Sequence, residues 1–355
     1  MKIGIITITN GENYGNRLQN YAVQEALKET GAEVETVHKV TNVFDAENFV
    51  YLNKLRLKKL LHYHLTVEER RRLSFYRFTK RYIKRSRYVI KDSAPEKLDS
   101  SYDCFVAGSD QVWNPYLAYV TCDNFLTFTS AEKKVAFAPS IAVEDIPEEK
   151  KKEYAAWIQD FRLLSVREKE GATLIYRLCG RKAEVLLDPT FYLSASQWRR
   201  IEKRVKMREN RYILAYFLGE YTPEYKERVE ECARFAGCVV YRLQTEEHFQ
   251  IAPDEFLYLV DHASIVCTDS FHGTAFSIIF KKNFVVFRRK EAFADMGSRL
   301  HTLLQRFDME DRYWERVGCN SVKDTDFCKS EAIIEEERER TRDFLSCIYK
   351  GERYA

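Results

Sequence analysis

One histidine stands where acid–base chemistry would need it. His272 lies in the polar segment 268–274, directly before Gly273 and between an apolar run and a helical pattern. An imidazole with the ordinary pKa of about 6.5 can give or take a proton at neutral pH, and a glycine beside it lets a substrate approach closely. His272 is therefore predicted to be a catalytic acid or base. The other six histidines lack such a context and are interpreted as structural.

A second polar cluster, 10–16, follows the first apolar run and precedes another helical pattern. Backbone N–H groups and the positive end of a helix dipole would meet there, which suits a phosphate or a carboxylate. The segment lacks the G-x-G-x-x-G spacing of dinucleotide-binding loops. Asn13 and Asn16 also suit helix capping for structural reasons alone. An anion site and a capped turn are therefore both open.

The segment 107–115 combines hydrogen-bonding side chains with a tryptophan after another apolar run. Ligands of open α/β sheets bind at the carboxyl ends of strands. We expect an exposed Trp113 whose indole packs on a sugar ring, while Asp110, Gln111 and Asn114 bind hydroxyl groups. The sequence predicts a glycan-binding loop here.

Two arginines offer positive charge to such a site. Arg167 follows the apolar run 163–166, and its planar guanidinium suits carboxylate or phosphate oxygens. A surface ion pair between Arg167 and Glu168 is the alternative. Arg299 could face the same cleft or be structural.

Alternating strand and helix patterns position these clusters, which indicates an α/β protein with parallel sheets. Strands are predicted at 2–9, 33–40, 104–107, 134–137, 163–166 and 184–187, with helices at 16–30 and 148–161. The second half repeats the pattern with strands at 212–218, 238–243, 264–268 and 283–288, and helices at 223–236, 253–263, 273–280 and 330–350. We expect two Rossmann-like domains facing a cleft.

Length and composition agree with a globular protein of two domains. The chain has 355 residues, 45% hydrophobic and 31% charged, with a net charge of +3. The predicted domains are 1–205 and 206–330, and a C-terminal helix in 331–355 is expected to pack back on the first domain.

The segment 54–91 departs from this pattern. It holds 14 Lys or Arg and two acids, a local charge of +12 that leaves −9 on the rest of the chain. Two amphipathic helices with a solvated basic face are predicted. The alternative is a contact with an anionic membrane or a polyanionic substrate, to which Arg70, Arg71 and Arg72 would contribute. No motif supports nucleic-acid binding.

Compartment signals in the sequence are few. No apolar run is long enough to span a bilayer, and the apolar start lacks a signal cleavage site, so we expect a cytoplasmic protein, peripheral at the inner membrane face if the basic segment binds lipid. Nine cysteines without a C-x-x-C pair predict reduced thiols and no zinc site.

Taken together and in order, these motifs resemble the polysaccharide pyruvyl transferases over residues 1 to about 305. The matching residues are Asn13, Tyr14, Gly15, Asn16 and Gln19; Gly108, Ser109, Asp110, Gln111, Val112, Trp113 and Asn114; Ser165, Val166, Arg167 and Glu168; Asp188, Pro189 and Thr190; and Thr268, Asp269, Ser270, Phe271, His272, Gly273 and Thr274.

The resemblance implies a GT-B-like architecture and transfer of pyruvate from phosphoenolpyruvate to glycan hydroxyls as a ketal, in exopolysaccharide or capsule biosynthesis. Arg167 would bind the donor and His272 would serve a proton transfer, while most of the other matching residues would bind substrate. The acceptor would be a glycan or a lipid-linked oligosaccharide. This chemistry demands no metal or nucleotide, so no cofactor is expected.

One position departs from the family pattern. Family members usually carry an arginine two residues before the histidine, where this chain has Ser270. Either Arg299 or another basic residue holds the donor phosphate, or the donor differs. A GT-B glycosyltransferase that uses a nucleotide sugar, a non-catalytic glycan-binding protein and a membrane-surface adaptor are the alternatives.

Overall fold

A computed structural model describes residues 1–9, 11–40, 49–207, 211–289, 298–318 and 322–350. The chain forms two compact units. Unit 1 comprises Met1–Leu52, Thr79–Leu193 and Glu335–Ala355, and unit 2 comprises Asn53–Phe78 and Ser194–Ile334. The division falls after Leu193 instead of after residue 205.

Unit 1 is built on a seven-stranded sheet in which each strand pairs parallel to its neighbours. Its strands are β1 (Lys2–Ile6), β2 (Glu33–Lys39), β3 (Arg85–Ile90), β4 (Cys104–Ala107), β5 (Lys134–Ala136), β6 (Leu163–Val166) and β7 (Glu184–Val185), in the order β3-β2-β1-β4-β5-β6-β7. This order is that of doubly wound nucleotide-binding sheets. The central strands β4, β5 and β6 are fully buried, as is usual in parallel sheets.

Unit 2 has a four-stranded parallel sheet. Its strands are β8 (Tyr212–Tyr216), β9 (Val239–Arg242), β10 (Ile265–Thr268) and β11 (Phe284–Val286), in the order β11-β10-β8-β9. The strand order reverses between β8 and β10, just as it does between β1 and β4 in unit 1. The predicted α/β class with two parallel sheets is confirmed.

Twelve α-helices connect the strands within the described residues. They are α1 (Tyr14–Lys28), α2 (Phe49–Leu60), α3 (Val67–Tyr82), α4 (Glu96–Ser100), α5 (Glu148–Gln159), α6 (Lys169–Cys179), α7 (Ala195–Arg199), α8 (Pro223–Ala236), α9 (Pro253–Asp261), α10 (Phe271–Ile279), α11 (Ser298–Phe307) and α12 (Ser330–Lys350). Short 3-10 turns occupy Cys122–Phe125, Ala131–Lys133, Pro189–Phe191 and Glu310–Arg312. None of the helices that the structure describes is long and apolar enough to cross a membrane.

The basic segment differs from its prediction in two respects. It contains the two expected helices, α2 and α3, but it ends in the strand β3, which pairs with β2 at the edge of the unit 1 sheet. The β-branched and aromatic residues Tyr88, Val89 and Ile90 at its end favour this strand. Moreover, Asn53–Phe78 clusters with unit 2 and not with the first domain.

Candidate functional site

Each sheet has one point at which ligands are expected. In open parallel sheets, ligands bind outside the carboxyl ends of the strands where the strand order reverses. In unit 1 these strands are β1 and β4, which are followed by the clusters 10–16 and 107–115. Asn10 lies outside the described residues.

The loops after β1 and β4 are joined by hydrogen bonds between their polar side chains. Asn13 caps α1 by accepting from the Asn16 N–H at 3.3 Å, and the Asn16 amide donates to the Asp110 carboxylate. The Gln19 Oε1 accepts from the Ser109 N–H at 3.0 Å. Tyr14 and Gly15 are buried in the first turn of α1, as are Gln19 and Ser109 beneath the loops. These residues of the two clusters lie together.

Gly108 allows the β4 loop to pass close to the neighbouring chain. Its φ of +122° is a conformation open to glycine, and a Cβ there would lie 2.3 Å from the Phe137 carbonyl oxygen. Ser109 then donates to the Ala138 carbonyl oxygen at 2.6 Å. A glycine at this point therefore lets the loop rest on the segment after β5.

Arg167 does not present the open guanidinium that its position suggests. Its side chain is buried, with Nη1 2.5 Å from the Asp188 Oδ2 and Nη2 3.3 Å from the Asp110 Oδ1. Burial alone lowers the pKa of Arg167, but the carboxylates of Asp188, Asp110 and Glu168 outweigh it and hold the pKa above its usual range. The charge is balanced inside unit 1, so Arg167 positions Asp110 instead of offering a free cation.

Glu168 and Asp188 anchor two further turns beneath this pair. The Glu168 Oε1 accepts from the Ser140 hydroxyl and from the N–H groups of Ile141 and Ala142 at 2.7–3.0 Å. The Asp188 Oδ1 accepts from the N–H and the hydroxyl of Thr190 at 3.0 and 2.8 Å. Neither a surface Arg167–Glu168 pair nor an exposed carboxylate is present here.

The prediction of an exposed Trp113 is wrong. The indole has 0% exposure and stacks on Phe125, with ring centroids 5.1 Å apart and planes 8° apart. Its Nε1 donates to the Asn124 carbonyl oxygen at 3.1 Å. The helix α5 covers this ring cluster, which makes Trp113 a core residue. Asn114 is also buried and donates to the Gln111 side chain at 2.7 Å.

The half-buried residues above this network are the ones that a ligand can touch. Asn13, Asn16 and Gln111 are partly exposed, whereas Asp110, Arg167 and Asp188 below them are buried. We call Asn13, Asn16 and Gln111 the unit 1 rim. These three amide side chains are held by hydrogen bonds to the Asn16 N–H, Asp110 and Asn114, and can bind hydroxyl or anionic oxygens in fixed directions.

Unit 2 repeats this design with Asp269, which follows β10. Its carboxylate accepts from the N–H groups of Leu218 and Gly219, in the loop after β8, at 2.7 and 2.8 Å. Burial raises the pKa of Asp269, against the opposing effects of Arg289 and of these two N–H groups. The carboxylate thus joins the two loops at the reversal point of the second sheet.

His272 lies in the first turn of α10, which begins two residues before the predicted start. The Ser270 hydroxyl caps this helix by accepting from the Gly273 N–H at 3.3 Å, and Thr274 Oγ1 donates to the Ser270 carbonyl oxygen at 3.1 Å. The His272 side chain is 6% exposed and contacts Phe271 edge to face. The histidine is therefore held in a defined position and is not on a free loop.

Thr268 fixes the close approach of α10 to β10. Its hydroxyl donates to the Tyr216 carbonyl oxygen at 2.6 Å and accepts from the Ser270 N–H at 3.0 Å. A Cβ on Gly273 would lie 2.6 Å from this hydroxyl oxygen. Gly273 is required for this contact.

Arg299 is buried near the start of α11, which packs against α10. Its neighbours in sequence, 291–297, lie outside the described residues.

One group of side chains in unit 2 has ligand spacing for a metal. Glu202, Asp261 and His262 offer ligand atoms within 4.8 Å of one another. The Arg199 guanidinium occupies both oxygens of Asp261, at 2.7 and 2.9 Å. A cation would have to displace this guanidinium, so the group favours an ion pair over a metal.

Two contributors to the network were not singled out from the sequence. Arg17 is buried in α1, and its Nη2 donates to the Gly11 carbonyl oxygen at 3.0 Å. Thr7 accepts from the Gln19 amide at 2.8 Å and donates to the Ser109 carbonyl oxygen at 3.2 Å. The position of Arg17 one turn after a candidate anion loop was a signal for the first, whereas a threonine at a strand end gave none for the second.

Comparison with known proteins identifies the family. A family model described as polysaccharide pyruvyl transferase matches residues 13–291. The match covers well over half of the chain, which therefore belongs to the polysaccharide pyruvyl transferase family. No curated protein matches the chain.

Solved structures similar to the chain include UDP-GlcNAc 2-epimerase from Methanocaldococcus jannaschii, with 14% identity, 98% and 99% of the two chains covered and a TM-score of 0.45. A glycosyltransferase from Streptomyces sp. SF2575 has 10% identity, 99% coverage of both chains and a TM-score of 0.45. UDP-N-acetylglucosamine 2-epimerase from Rickettsia bellii has 9% identity, 98% coverage of both chains and a TM-score of 0.46.

Proposed function

We propose that this polysaccharide pyruvyl transferase family member transfers pyruvate from phosphoenolpyruvate to two hydroxyls of a glycan acceptor, forming a ketal. The family match over residues 13–291 supports a transferase, and the polar networks at the two sheet reversal points support the position of its binding residues. The observation that carries the proposal is the position of the family motifs. They occupy the loops after β1, β4, β6 and β10, where such sheets bind ligands.

The reaction requires three proton transfers, one to the donor and one from each of the two acceptor hydroxyls. Protonation of the methylene carbon of phosphoenolpyruvate makes the adjacent carbon electrophilic, and one acceptor hydroxyl attacks it and loses its proton. A second hydroxyl then attacks the same carbon and loses its proton as phosphate leaves, which closes the ketal ring. His272 is assigned to one of the proton transfers, because its place in the first turn of α10 fixes the imidazole.

The unit 1 rim is assigned to substrate oxygens. The N–H groups at the start of α1 and the amides of Asn13 and Asn16 suit the anionic groups of the donor. Arg167 is assigned a positioning role, because Asp188 and Asp110 already neutralise it. Ser270 stands where family members usually carry an arginine. Arg299 of unit 2 is therefore the candidate for the positive charge that holds the donor phosphate.

The acceptor is proposed to be a glycan or a lipid-linked oligosaccharide, with a peripheral contact to anionic lipid and none to nucleic acid. Neither a metal nor an organic cofactor is needed for the steps above. Phosphoenolpyruvate enters as a substrate.

The test is a phosphate-release assay with phosphoenolpyruvate and a panel of soluble glycans, with NMR detection of the pyruvate ketal. His272→Asn should abolish turnover, whereas His301→Asn, a change of an exposed histidine on α11, should not. Binding and turnover of a UDP- or GDP-sugar without any response to phosphoenolpyruvate would contradict the proposal and favour a glycosyltransferase. Glycan binding without turnover of either donor would favour a binding protein.

A further inference from the structure

The end of α2 exposes an unusual number of apolar side chains. Leu57, Leu60, Leu61 and Tyr63 are 54%, 74%, 57% and 66% exposed. They are four of the twelve large hydrophobic residues that are exposed among the described residues, and all four fall within seven consecutive positions. Single exposed apolar residues are common, but a cluster marks an interaction site. We call residues 54–64 the α2 tip.

The charge around these side chains has one sign. The stretch 49–67 contains no acidic residue and four basic ones. Lys54, Arg56 and Lys59 are exposed, and Lys58 forms an ion pair at 2.8 Å with Glu69, from the first turn of α3. Glu68 beside it is the nearby acid that stays exposed. The leucines therefore stand among positive charges with little local compensation.

We propose that the α2 tip binds the surface of an anionic lipid bilayer. Leucine and tyrosine side chains would enter the boundary between headgroups and acyl chains, while lysine and arginine contact lipid phosphates. A polyanionic glycan or nucleic acid would account for the charges but not for the exposed leucines. A second copy of the chain would bring two basic tips together, which like-charge repulsion opposes.

Two of the three α3 arginines expected to contact lipid make contacts within unit 2 instead. The Arg70 Nε donates to the Gln250 side chain at 2.6 Å, and the Arg71 Nη1 donates to the Phe249 carbonyl oxygen at 2.6 Å. Arg71 also lies over the rings of Phe75 and Phe249. These two side chains are therefore engaged within unit 2, whereas the α2 tip combines exposed cations with exposed apolar side chains.

The inference rests on the proposed function only in that a lipid-linked acceptor would be met at such a surface. Lipid binding itself needs neither donor nor acceptor. It is therefore measured on the full chain without phosphoenolpyruvate, and the phosphate-release assay with a soluble glycan is run separately. A chain that fails to bind vesicles can still release phosphate, and a chain that fails to release phosphate can still bind vesicles, so the two proposals are tested independently.

The experiment is co-sedimentation with vesicles of phosphatidylcholine alone or with phosphatidylglycerol added, at low and high salt. The wild-type chain should bind the anionic vesicles, and high salt should weaken this binding. Lys54→Gln/Arg56→Gln/Lys59→Gln should reduce the partition coefficient about a hundredfold, at about 1 kcal/mol for each basic side chain. The matched control Lys80→Gln/Arg81→Gln/Arg87→Gln removes the same charge from exposed positions outside the tip, and should reduce it much less.

The apolar part is tested by Leu57→Ser/Leu60→Ser/Leu61→Ser, against Tyr176→Ser, which changes an equally exposed ring on α6. The leucine variant should lose at least tenfold in partition coefficient, and the control should bind as wild type. Circular dichroism should show both variants folded, because all four side chains are exposed. Tip variants that bind like their controls, or a wild-type chain that binds neither vesicle, would overturn the proposal. So would a wild-type dimer that the leucine variant abolishes without any effect on vesicle binding.

Discussion

At the scale of single residues, the candidate site of unit 1 depends on a balanced buried charge. Arg167 lies between Asp188 and Asp110, and all three side chains are almost inaccessible to solvent. A buried ion pair adds little when complete, but removing one partner leaves an uncompensated charge. The site therefore tolerates changes at the rim far better than changes at its base.

Asp188→Asn should be strongly destabilising. The asparagine Oδ1 can still accept from Thr190, but the carboxylate nearest to Arg167, at 2.5 Å, is lost, and Asp110 at 3.3 Å remains as a charged partner. We expect a loss of about 1.5–3 kcal/mol in the free energy of unfolding, the usual contribution of a hydrogen bond to a charged group, measured by urea titration. Asp145→Asn, which breaks an exposed ion pair with Lys151, should change the free energy of unfolding far less. Equal losses in the two variants would contradict the assigned role of the pair.

Lys39, at the end of β2, should give the stability a distinctive pH dependence. Burial lowers the pKa of Lys39 to about 8, and its Nζ donates to the Thr121 hydroxyl and to the Asn124 side chain at 2.5 and 2.6 Å. The unfolded chain keeps a lysine pKa of about 10.4. Between these two values the unfolded state binds more protons, so the Lys39 contribution to stability rises with pH and is flat below about pH 8.

Lys39→Met isolates this contribution. The difference in unfolding free energy between wild type and variant should shift in favour of wild type from pH 8 to 10.4, by at most about 3 kcal/mol. Urea unfolding at intervals of half a pH unit measures it. A difference that stays constant over this range would mean that Lys39 titrates normally in the folded protein.

At the scale of elements, the contact between α10 and β10 sets the position of His272. Gly273 meets Thr268, whose hydroxyl is held by the Tyr216 carbonyl oxygen. The helix can begin at Phe271 because no Cβ at 273 pushes it away from the strand. The orientation of the imidazole therefore depends on a residue that has no side chain.

Gly273→Ala should destabilise the protein although alanine is the better helix former. The propensity gain is about 1 kcal/mol, but a Cβ 2.6 Å from the Thr268 hydroxyl oxygen forces α10 away from β10. We expect a net loss of about 1–3 kcal/mol and a lower transfer rate. Thermal unfolding and the phosphate-release assay measure the two effects.

Two further variants check the cause. Thr268→Ala removes the opposing hydroxyl, so the double variant should recover part of the loss relative to the two single changes. Gly171→Ala on α6 would place a Cβ 3.3 Å from its nearest atom, and a smaller cost is expected. A stabilising Gly273→Ala would show that helix propensity outweighs the contact.

Several elements could be predicted closely from the sequence, and the exceptions have physical causes. The strand Cys104–Ala107 and the helix Pro223–Ala236 have the predicted bounds, because an uninterrupted apolar run and a Thr-Pro start with a Gly stop specify them. The strand Arg85–Ile90 was assigned to a helix, since it begins with Arg85, Ser86 and Arg87, continues a basic helical segment and shows no period-2 alternation.

Site residues were predicted less well than elements, because burial is a tertiary property. A tryptophan among polar side chains gives no sign that Phe125 will stack on it. Likewise, nothing adjacent to Arg167 in the chain indicates that Asp110 and Asp188 will neutralise it, since they are 57 and 21 positions away. The strand ends were predictable, but the partners at those ends were not.

At the scale of the whole molecule, unit 1 is built from three separate segments of the chain. The third of these segments lies in α12 and follows both segments of unit 2 in the sequence. Phe344 and Leu345 of this helix are fully buried, and Arg338 donates to the carbonyl oxygens of Phe191, Tyr192 and Leu193 at 2.9–3.1 Å. The turn that Arg338 holds begins with Asp188, the partner of Arg167. The C-terminal helix therefore supports the base of the unit 1 site from outside it.

Ending the chain at residue 334 should therefore destabilise unit 1 and abolish transfer, although the deleted residues are remote in sequence from every motif of the site. Loss of the buried Phe344, Leu345 and Ile348 alone should cost about 5 kcal/mol or more, at about 1.5–3 kcal/mol for each side chain. Calorimetry should show unit 1 unfolding at a lower temperature than any transition of the wild type. Deletion of 351–355 alone is the control.

Arg338→Met should have a stability between those of the two truncated chains, because the turn that begins with Asp188 is loosened while the apolar contacts of α12 are kept. A chain ending at 334 that melts and turns over like wild type would show that the site of unit 1 stands without its C-terminal helix.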